Sequence, residues 1–248
     1  MSEEAVSIKD LNFRYAGQTE SCFSNLTFDI KAGDRFGLFG PNGAGKTTLM
    51  NCMTGLLDFQ QGSIRLLGHE INPHKTSVNK FFGLAPQDFS FYEELSPAEN
   101  MEFFGAWAGL KRWESKRRTT ELLEVLGLTE VRNKQVHQFS GGMKRRVNLA
   151  IAVMHNPAIL FLDEPTVGVD VQSRHAIIAY LKELNSNGTT LIYTSHQLNE
   201  AEDLCNTIAL IDEGKIIAHD KLSHLLSEHS QDGLEGLFIN LTGKEYRD

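Results

Sequence analysis

Residues 40–48 read GPNGAGKTT and place Gly40, Gly45, Lys46 and Thr47 at the spacing G-x-x-x-x-G-K-[ST]. Glycine at such positions lets successive backbone N–H groups converge on one anion, and a helix starting at the lysine adds the positive end of its dipole. Lys46 then supplies a point charge for β- and γ-phosphates, and Thr47 supplies a hydroxyl for Mg²⁺. The chemistry is nucleoside triphosphate binding. Its candidate residues are Gly40, Pro41, Asn42, Gly43, Ala44, Gly45, Lys46, Thr47 and Thr48.

Further segments carry groups suited to the same chemistry. AILFLDEP, residues 158–165, is an apolar run ending in two adjacent carboxylates. At the end of such a strand in P-loop enzymes a carboxylate, here Asp163, holds Mg²⁺, and Glu164 would orient and deprotonate an attacking water. His196 follows TTLIYTS, at a strand end of the kind where ligands meet an open α/β sheet, although a lone histidine there is more often structural. FSGGMKRR, residues 139–146, opens a helix whose apolar positions Met143, Val147, Ala150, Ile151 and Met154 share one face. Ser140 suits the N-cap, and Gly141 and Gly142 permit a close backbone approach. Lys144, Arg145 and Arg146 oppose that helix's dipole by roughly 0.3–1 kcal/mol each. Such a start favours an anion nearby, or is simply a capped and solvated helix end.

These groups need elements to hold them. Short strands are expected at Val6 to Leu11, Leu26 to Ile30 and Arg35 to Phe39, followed by a glycine-rich turn and a helix ending near Gly55. Helical patterns cover 97–109, 115–126 and 141–155. Beyond them the strand ILFL, a helix from Val171 to Asn185, the strand TTLIYT, a helix from Leu198 and the strand TIALID alternate, and Gly214 turns the chain into KIIAHD. The expected architecture is an α/β core, residues 1–88 and 158–248, interrupted by a helical insertion at 89–157. No internal repeat, low-complexity tract or Gly/Ser-rich linker divides the 248 residues.

Composition narrows the function classes. Lys and Arg total 24 against 32 Asp and Glu, a net charge of −8, so the chain lacks the basic footprint of a general nucleic-acid binder. Cys22, Cys52 and Cys205 form no CxxC pair and predict neither a disulfide framework nor a zinc site, which fits a reducing, cytoplasmic setting. MSEEAVSIKD is too acidic for a signal peptide. The most apolar stretch, Leu149 to Leu162, is broken by His155, Asn156 and Pro157 and is too short for roughly 30 Å of hydrocarbon. A chain of this kind would need a partner to span a membrane.

The ordered set GPNGAGKTT, APQD (85–88), FSGGM (139–143), ILFLDEP, VGVD (167–170) and His196 resembles the ATP-binding subunits of ABC transporters over nearly the whole chain. The resemblance implies the ABC ATPase fold: an α/β P-loop NTPase core with an antiparallel β subdomain and an inserted α-helical subdomain. It implies ATP and Mg²⁺ as ligands, with Tyr15 stacking on adenine, Gln87 contacting Mg²⁺ and sensing γ-phosphate and the membrane partner, His196 contacting γ-phosphate and Glu164 acting as general base. Ser140, Gly141 and Gly142 would meet ATP held by a second copy, and Asp170 would lie in the loop linking the two sites. It further implies a separate transmembrane permease, with the chain peripheral on the inner face of the cell membrane. FSGGM departs from the family's usual LSGGQ, so Met143 lacks an amide, and Val169 replaces the usual Leu. SGGMKRR, DEPTVGVD and the ending LEGLFINLTG (234–243) resemble the bacterial export branch associated with drugs, ions or polysaccharide; the ending reads equally as a terminal strand docked on the core.

The alternative is a soluble ABC-type ATPase acting on ribosomes or DNA, which lacks support from a second nucleotide domain, a long coiled coil or a basic charge. A P-loop GTPase would need NKxD, and NKFF (79–82) does not supply it. Three further features are read blandly. The basic run Lys111 to Arg118 is a solvated helix boundary in preference to a lipid or partner contact. Phe89, Phe91 and Tyr92 serve either as a hinge for the insertion or as a surface for a transporter loop. His219, His224 and His229, at five-residue intervals, would lie on different faces of a helix and make no metal site.

Overall fold

The computed structural model describes residues 4–71, 76–195 and 197–243. In chain order the elements are β1 (Glu4–Phe13), β2 (Phe23–Lys31), β3 (Arg35–Phe39), α1 (Lys46–Met53), β4 (Gln61–Leu66), β5 (His69–Glu70), β6 (Phe82–Ala85), α2 (Pro97–Trp107), α3 (Arg112–Val125), α4 (Gly141–Ala152), β7 (Ile159–Asp163), α5 (Val171–Ser186), β8 (Thr190–Thr194), α6 (Leu198–Leu204), β9 (Thr207–Asp212), β10 (Lys215–Lys221), α7 (Leu222–Glu228) and α8 (Leu234–Thr242). Short three-ten turns lie at Thr76–Phe81, Thr129–Val131 and Val136–Gln138. The backbone groups into two compact units, residues 1–79 with 190–248, and residues 80–189.

In the first unit β2 alternates buried and exposed residues from Leu26, while β1 is buried continuously from Ala5 to Ile8. Val6, Ile8 and Leu11 of β1 and Leu26, Phe28 and Ile30 of β2 are buried, with Ile8 opposite Phe28 and Val6 opposite Ile30. Full burial of side chains of this size stabilises by about 1.5–3 kcal/mol each relative to exposure. These strands form an antiparallel sheet in the order β2-β1-β4-β5. The nearly continuous apolar strand β3 is different: it lies between β8 and β9, parallel to both, as its burial along its length requires. β10 pairs antiparallel with β9.

In the second unit β6 and β7 run parallel, with Gly83 opposite Leu160 and Ala85 opposite Leu162. A side-chain carbon at residue 83 would lie 2.0 Å from the Ala152 carbonyl oxygen, so α4 approaches this strand to a distance only glycine allows. α2 begins with a capping box: Ser96 Oγ accepts from the Glu99 N–H at 3.3 Å while Glu99 Oε2 accepts from the Ser96 N–H at 2.8 Å. α5 starts at Asp170, whose Oδ1 accepts from the Ser173 N–H at 2.9 Å.

The expected mixture of an antiparallel sheet, parallel strands and a helical segment is present. The detail differs in four places. α4 ends at Ala152 because the chain turns at Asn156, in the left-handed region at φ 50, ahead of Pro157. LEGLFINLTG is the helix α8, not a terminal strand, and buries Leu234, Leu237 and Phe238. His219 sits in β10, His224 in α7 and His229 at its C-cap, so the three do not share a helix; among the described residues no three His, Cys, Asp or Glu side chains are grouped to hold a metal ion. β4, β5, β6 and α7 carry no strong sequence pattern. The three cysteines are free, as expected, and burial pushes the Cys52 thiol up to about 12. Among the described residues no helix is long and apolar enough to cross a membrane.

His155, between α4 and β7, has its Nε2 at 3.0 Å from the Phe82 carbonyl oxygen, and burial lowers its pKa below the ordinary 6.5. The unfolded chain therefore takes up a proton near that value while the folded chain does not, so stability is lost as pH falls through 6.5 towards the folded value. Thermal melts between neutral pH and about pH 5.5 should show a smaller drop for His155→Gln than for the wild type; equal drops would remove His155 from the linkage.

Candidate functional site

β3 ends at Phe39, and the chain enters the glycine loop at once. A carbon added to Gly40 would lie 2.0 Å from the Ile211 carbonyl oxygen of β9. Gly45 has φ 107, in the left-handed region, and an added carbon there would lie 2.6 Å from a Phe23 ring atom. Only glycine meets both demands. The Ala44 N–H donates to the Pro41 carbonyl at 3.1 Å, and α1 follows directly, with no acidic residue in its first turn. Lys46 is buried and its Nζ folds back over the loop, donating to the Gly40 carbonyl at 2.7 Å and the Pro41 carbonyl at 3.2 Å. Asn42, Gly43 and Thr47 are exposed.

Tyr15 joins the same unit. Its hydroxyl is 2.7 Å from Thr48 Oγ1, and its ring meets Phe13 edge-on at 4.8 Å while remaining 39% exposed. The exposed ring is thus anchored at its polar end to the helix that carries Lys46. His196 lies outside the described residues.

In the other unit the parallel register of β6 and β7 controls a second group. Gln87 and Glu164 each follow two residues after the paired Ala85 and Leu162, and Gln87 Nε2 donates to Glu164 Oε2 at 3.2 Å. Asp163, at the end of β7, is buried beside it in sequence. Glu164 is only 9% exposed and has φ 50, a left-handed conformation that costs a non-glycine residue on the order of 1–3 kcal/mol. Strained backbone at a buried polar group is a feature that clusters at functional sites.

Arg145 is the residue the sequence reading missed. The sequence pattern shows it only as a cation opposing a helix dipole. The residue is 9% exposed, and its guanidinium donates through Nη1 to the Gln87 carbonyl and lies 4.7 Å from the Phe89 ring centroid. Asn148, one turn along α4, donates to the Pro86 carbonyl at 3.0 Å. Burial lowers the Arg145 pKa, and the carboxylates of Glu164, Asp88 and Asp163 act in the opposite direction. The segment preceding α2 is therefore fastened to α4. One signal was available: Arg145 and Asn148 are polar residues three apart on a helix. The other two cations after SGG are likewise engaged, Lys144 with Glu93 at 2.6 Å and Arg146 with the Leu126 carbonyl at 2.9 Å.

Ser140 caps α4 as expected, its Oγ accepting from the Met143 N–H at 3.3 Å. Gly142 is buried and faces the start of α5; a carbon there would lie 3.2 Å from Ser173 Oγ and 3.4 Å from Asp170 Oδ2. Gly141 faces the Gly168 carbonyl in the same way, at 3.5 Å. Ser140, Gly141 and Gly142 are thus brought beside 167–170. Asp170 itself is spent on helix capping, and the hydrogen bonds from the Ser173 hydroxyl and N–H hold its carboxyl below the usual range.

The groups present fit a polyphosphate and a hard cation. The loop has a glycine-lined approach, a lysine and a helix start free of acidic residues, and Thr47 presents an exposed hydroxyl. Each unit by itself offers oxygen donors of the kind Mg²⁺ prefers, the Thr47 hydroxyl in the first and the Gln87 amide and Asp163 carboxylate in the second.

Comparison with known proteins agrees with this chemistry. A family model described as "ABC transporter" matches residues 23–167. The chain is 40% identical over 229 residues to the linearmycin resistance ATP-binding protein LnrL of Bacillus subtilis, covering 92% of this chain and 74% of that protein. It is 35% identical over 226 residues to the Nod factor export ATP-binding protein I of Ralstonia nicotianae, covering 91% and 70%. A solved dimeric, post-hydrolysis structure of the ATP-binding cassette MJ0796 bound to ADP and Pi superposes with a TM-score of 0.80 at 26% identity, covering 88% of this chain and 98% of that one.

If Arg145 fastens the Gln87 segment, Arg145→Ala should destabilise the chain in urea unfolding by about 1.5–3 kcal/mol, the range for a hydrogen bond to a charged group. Arg145→Lys, which loses the planar guanidinium over Phe89, should recover only part of that. A loss for Arg145→Ala below about 0.5 kcal/mol would show the contacts to be idle.

Proposed function

The chain belongs to the ABC transporter family as an ATP-hydrolysing subunit, and from that premise we propose that it is the motor of an exporter, closing with a second copy around two MgATP and acting on a separate transmembrane permease. The observation that carries the chemical part is the Gln87 amide held on the strained Glu164 carboxylate. Export is supported by the kinship with proteins named for Nod factor export and linearmycin resistance. The proposed setting is the inner face of the cell membrane, with attachment through the permease.

The proposed roles follow from the side chains. Lys46 exchanges its loop carbonyls for β- and γ-phosphate oxygens, and the N–H groups of 40–48 surround the phosphates. Tyr15 offers its exposed ring to adenine. Thr47, Asp163 and Gln87 would hold Mg²⁺, which would supply positive charge to the phosphates. Glu164 takes a proton from water as the water oxygen bonds to the γ-phosphorus, and the bond from that phosphorus to the β–γ bridging oxygen breaks to release ADP. His196 contacts the γ-phosphate. Ser140, Gly141 and Gly142 serve the ATP of the second copy, and Asp170 links the two sites. The proposed division keeps 1–88 and 158–248 as the nucleotide-binding core and 89–157 as the helical insertion, a reading supported by the succession of α2, α3 and α4.

Glu164→Gln should reduce ATP turnover by about 10²–10⁴-fold with ATP affinity retained, as measured by phosphate release and nucleotide titration. Turnover within a few-fold of wild type would remove Glu164 from its role. Lys46→Ala should weaken MgATP binding, and an unchanged dissociation constant would contradict the phosphate assignment.

A further inference from the structure

The corner between α2 and α3 reverses the character of the chain. Residues 111–118 read KRWESKRR, five cations and one carboxylate, in a protein of net charge −8. Composition alone allows a solvated helix boundary here, and the structure adds exposed aromatic groups that such a boundary does not require. Trp107 is 78% exposed and Trp113 is 61% exposed, and they are the only two tryptophans of the chain. Exposed Phe103 extends the apolar surface one turn back along α2.

The local geometry groups these residues. α2 ends at Trp107, Gly109 at φ 87 turns the chain, and α3 starts at Arg112, so Lys111 and Arg112 lie between the two indoles in sequence. Trp113, Lys116 and Arg117 stand three and four positions apart and share an exposed face of α3. The charges then separate into two sets. Arg117 is paired with Glu121 at 2.7 Å, and Arg118 is turned onto the Val153 carbonyl at 3.0 Å and Glu121 at 3.3 Å. Glu114 is occupied in accepting from the Lys111 N–H at 3.0 Å. Lys111, Arg112 and Lys116 are exposed and have no ion pair among the described residues.

Two exposed indoles flanked by three unpaired cations match the chemistry of a bilayer surface, where tryptophan seats at headgroup level and Lys and Arg meet anionic phosphate. We propose that the α2–α3 corner, through Trp107, Trp113, Lys111, Arg112 and Lys116, is a docking surface for anionic lipid headgroups. Charge complementarity selects lipid: a soluble anion would account for the cations but not for the exposed indoles. The inference rests on the reading that the chain works at a membrane. It needs no nucleotide, so its failure and a failure of the ATPase assignment are read separately.

Because both tryptophans lie in the corner, intrinsic emission of the full chain reports on it directly. Vesicles of phosphatidylcholine containing about one third phosphatidylglycerol should shift the emission to the blue and sediment the protein; phosphatidylcholine alone should do neither. The shift should reverse near 1 M salt, where the screening length falls to about 3 Å. Replacing Lys111, Arg112 and Lys116 together by Gln should lower partitioning by on the order of 100-fold, roughly fivefold per cation, with an unchanged circular dichroism spectrum. Equal response to neutral vesicles, persistence in the triple variant or no shift at all would overturn the proposal. So would a blue-shifted emission seen only in a lipid-free complex with the permease, which would make the corner a protein contact.

Discussion

No side-chain carbon fits at residue 40, because the Ile211 carbonyl oxygen would lie 2.0 Å from it. That contact sets the path of the loop. β3 is held between β8 and β9, so its last residue has a fixed place, and the glycine that follows lets the backbone leave the sheet against its neighbour. The left-handed turn at Gly45 then starts α1 at Lys46. A lysine at this position is led back over the loop it terminates. The candidate phosphate site is thus a consequence of backbone proximity, and its one long side chain depends on it.

The other unit repeats the logic with different residues. Gly83 lets α4 close on β6, and from there α4 presents Arg145 to the Gln87 segment. Lys46 and Arg145 are both buried cations that donate to backbone carbonyls. Carbonyl partners help to satisfy a buried cation that has lost its water. Under the proposed mechanism the Lys46 cation is used on phosphate in the first unit, and Arg145 steadies Gln87 against Glu164 in the second.

Local features were legible in the sequence, and long-range ones were not. The spacing of Gly40, Gly45 and Lys46 and the cap at Ser140 depend on residues a few positions apart, and both were read correctly as backbone devices. Arg145 was misread because its partners, Gln87 and Phe89, lie more than fifty residues away. α8 was left open as a strand because LEGLFINLTG is apolar at short intervals, and the buried Leu234, Leu237 and Phe238 follow helical spacing only once their faces are known. The five-residue recurrence of histidines assumed one helix, whereas β10 ends at Lys221 and separates His219 from the others.

Under the proposed mechanism Ser140, Gly141 and Gly142 act on ATP held by another copy. The most direct measurement is the sedimentation mass of Glu164→Gln with Mg²⁺ and saturating ATP, with ADP as the control. A mass of two chains with ATP and one chain with ADP is the predicted result. A single-chain mass with ATP, at concentrations where nucleotide binding is complete, would contradict it.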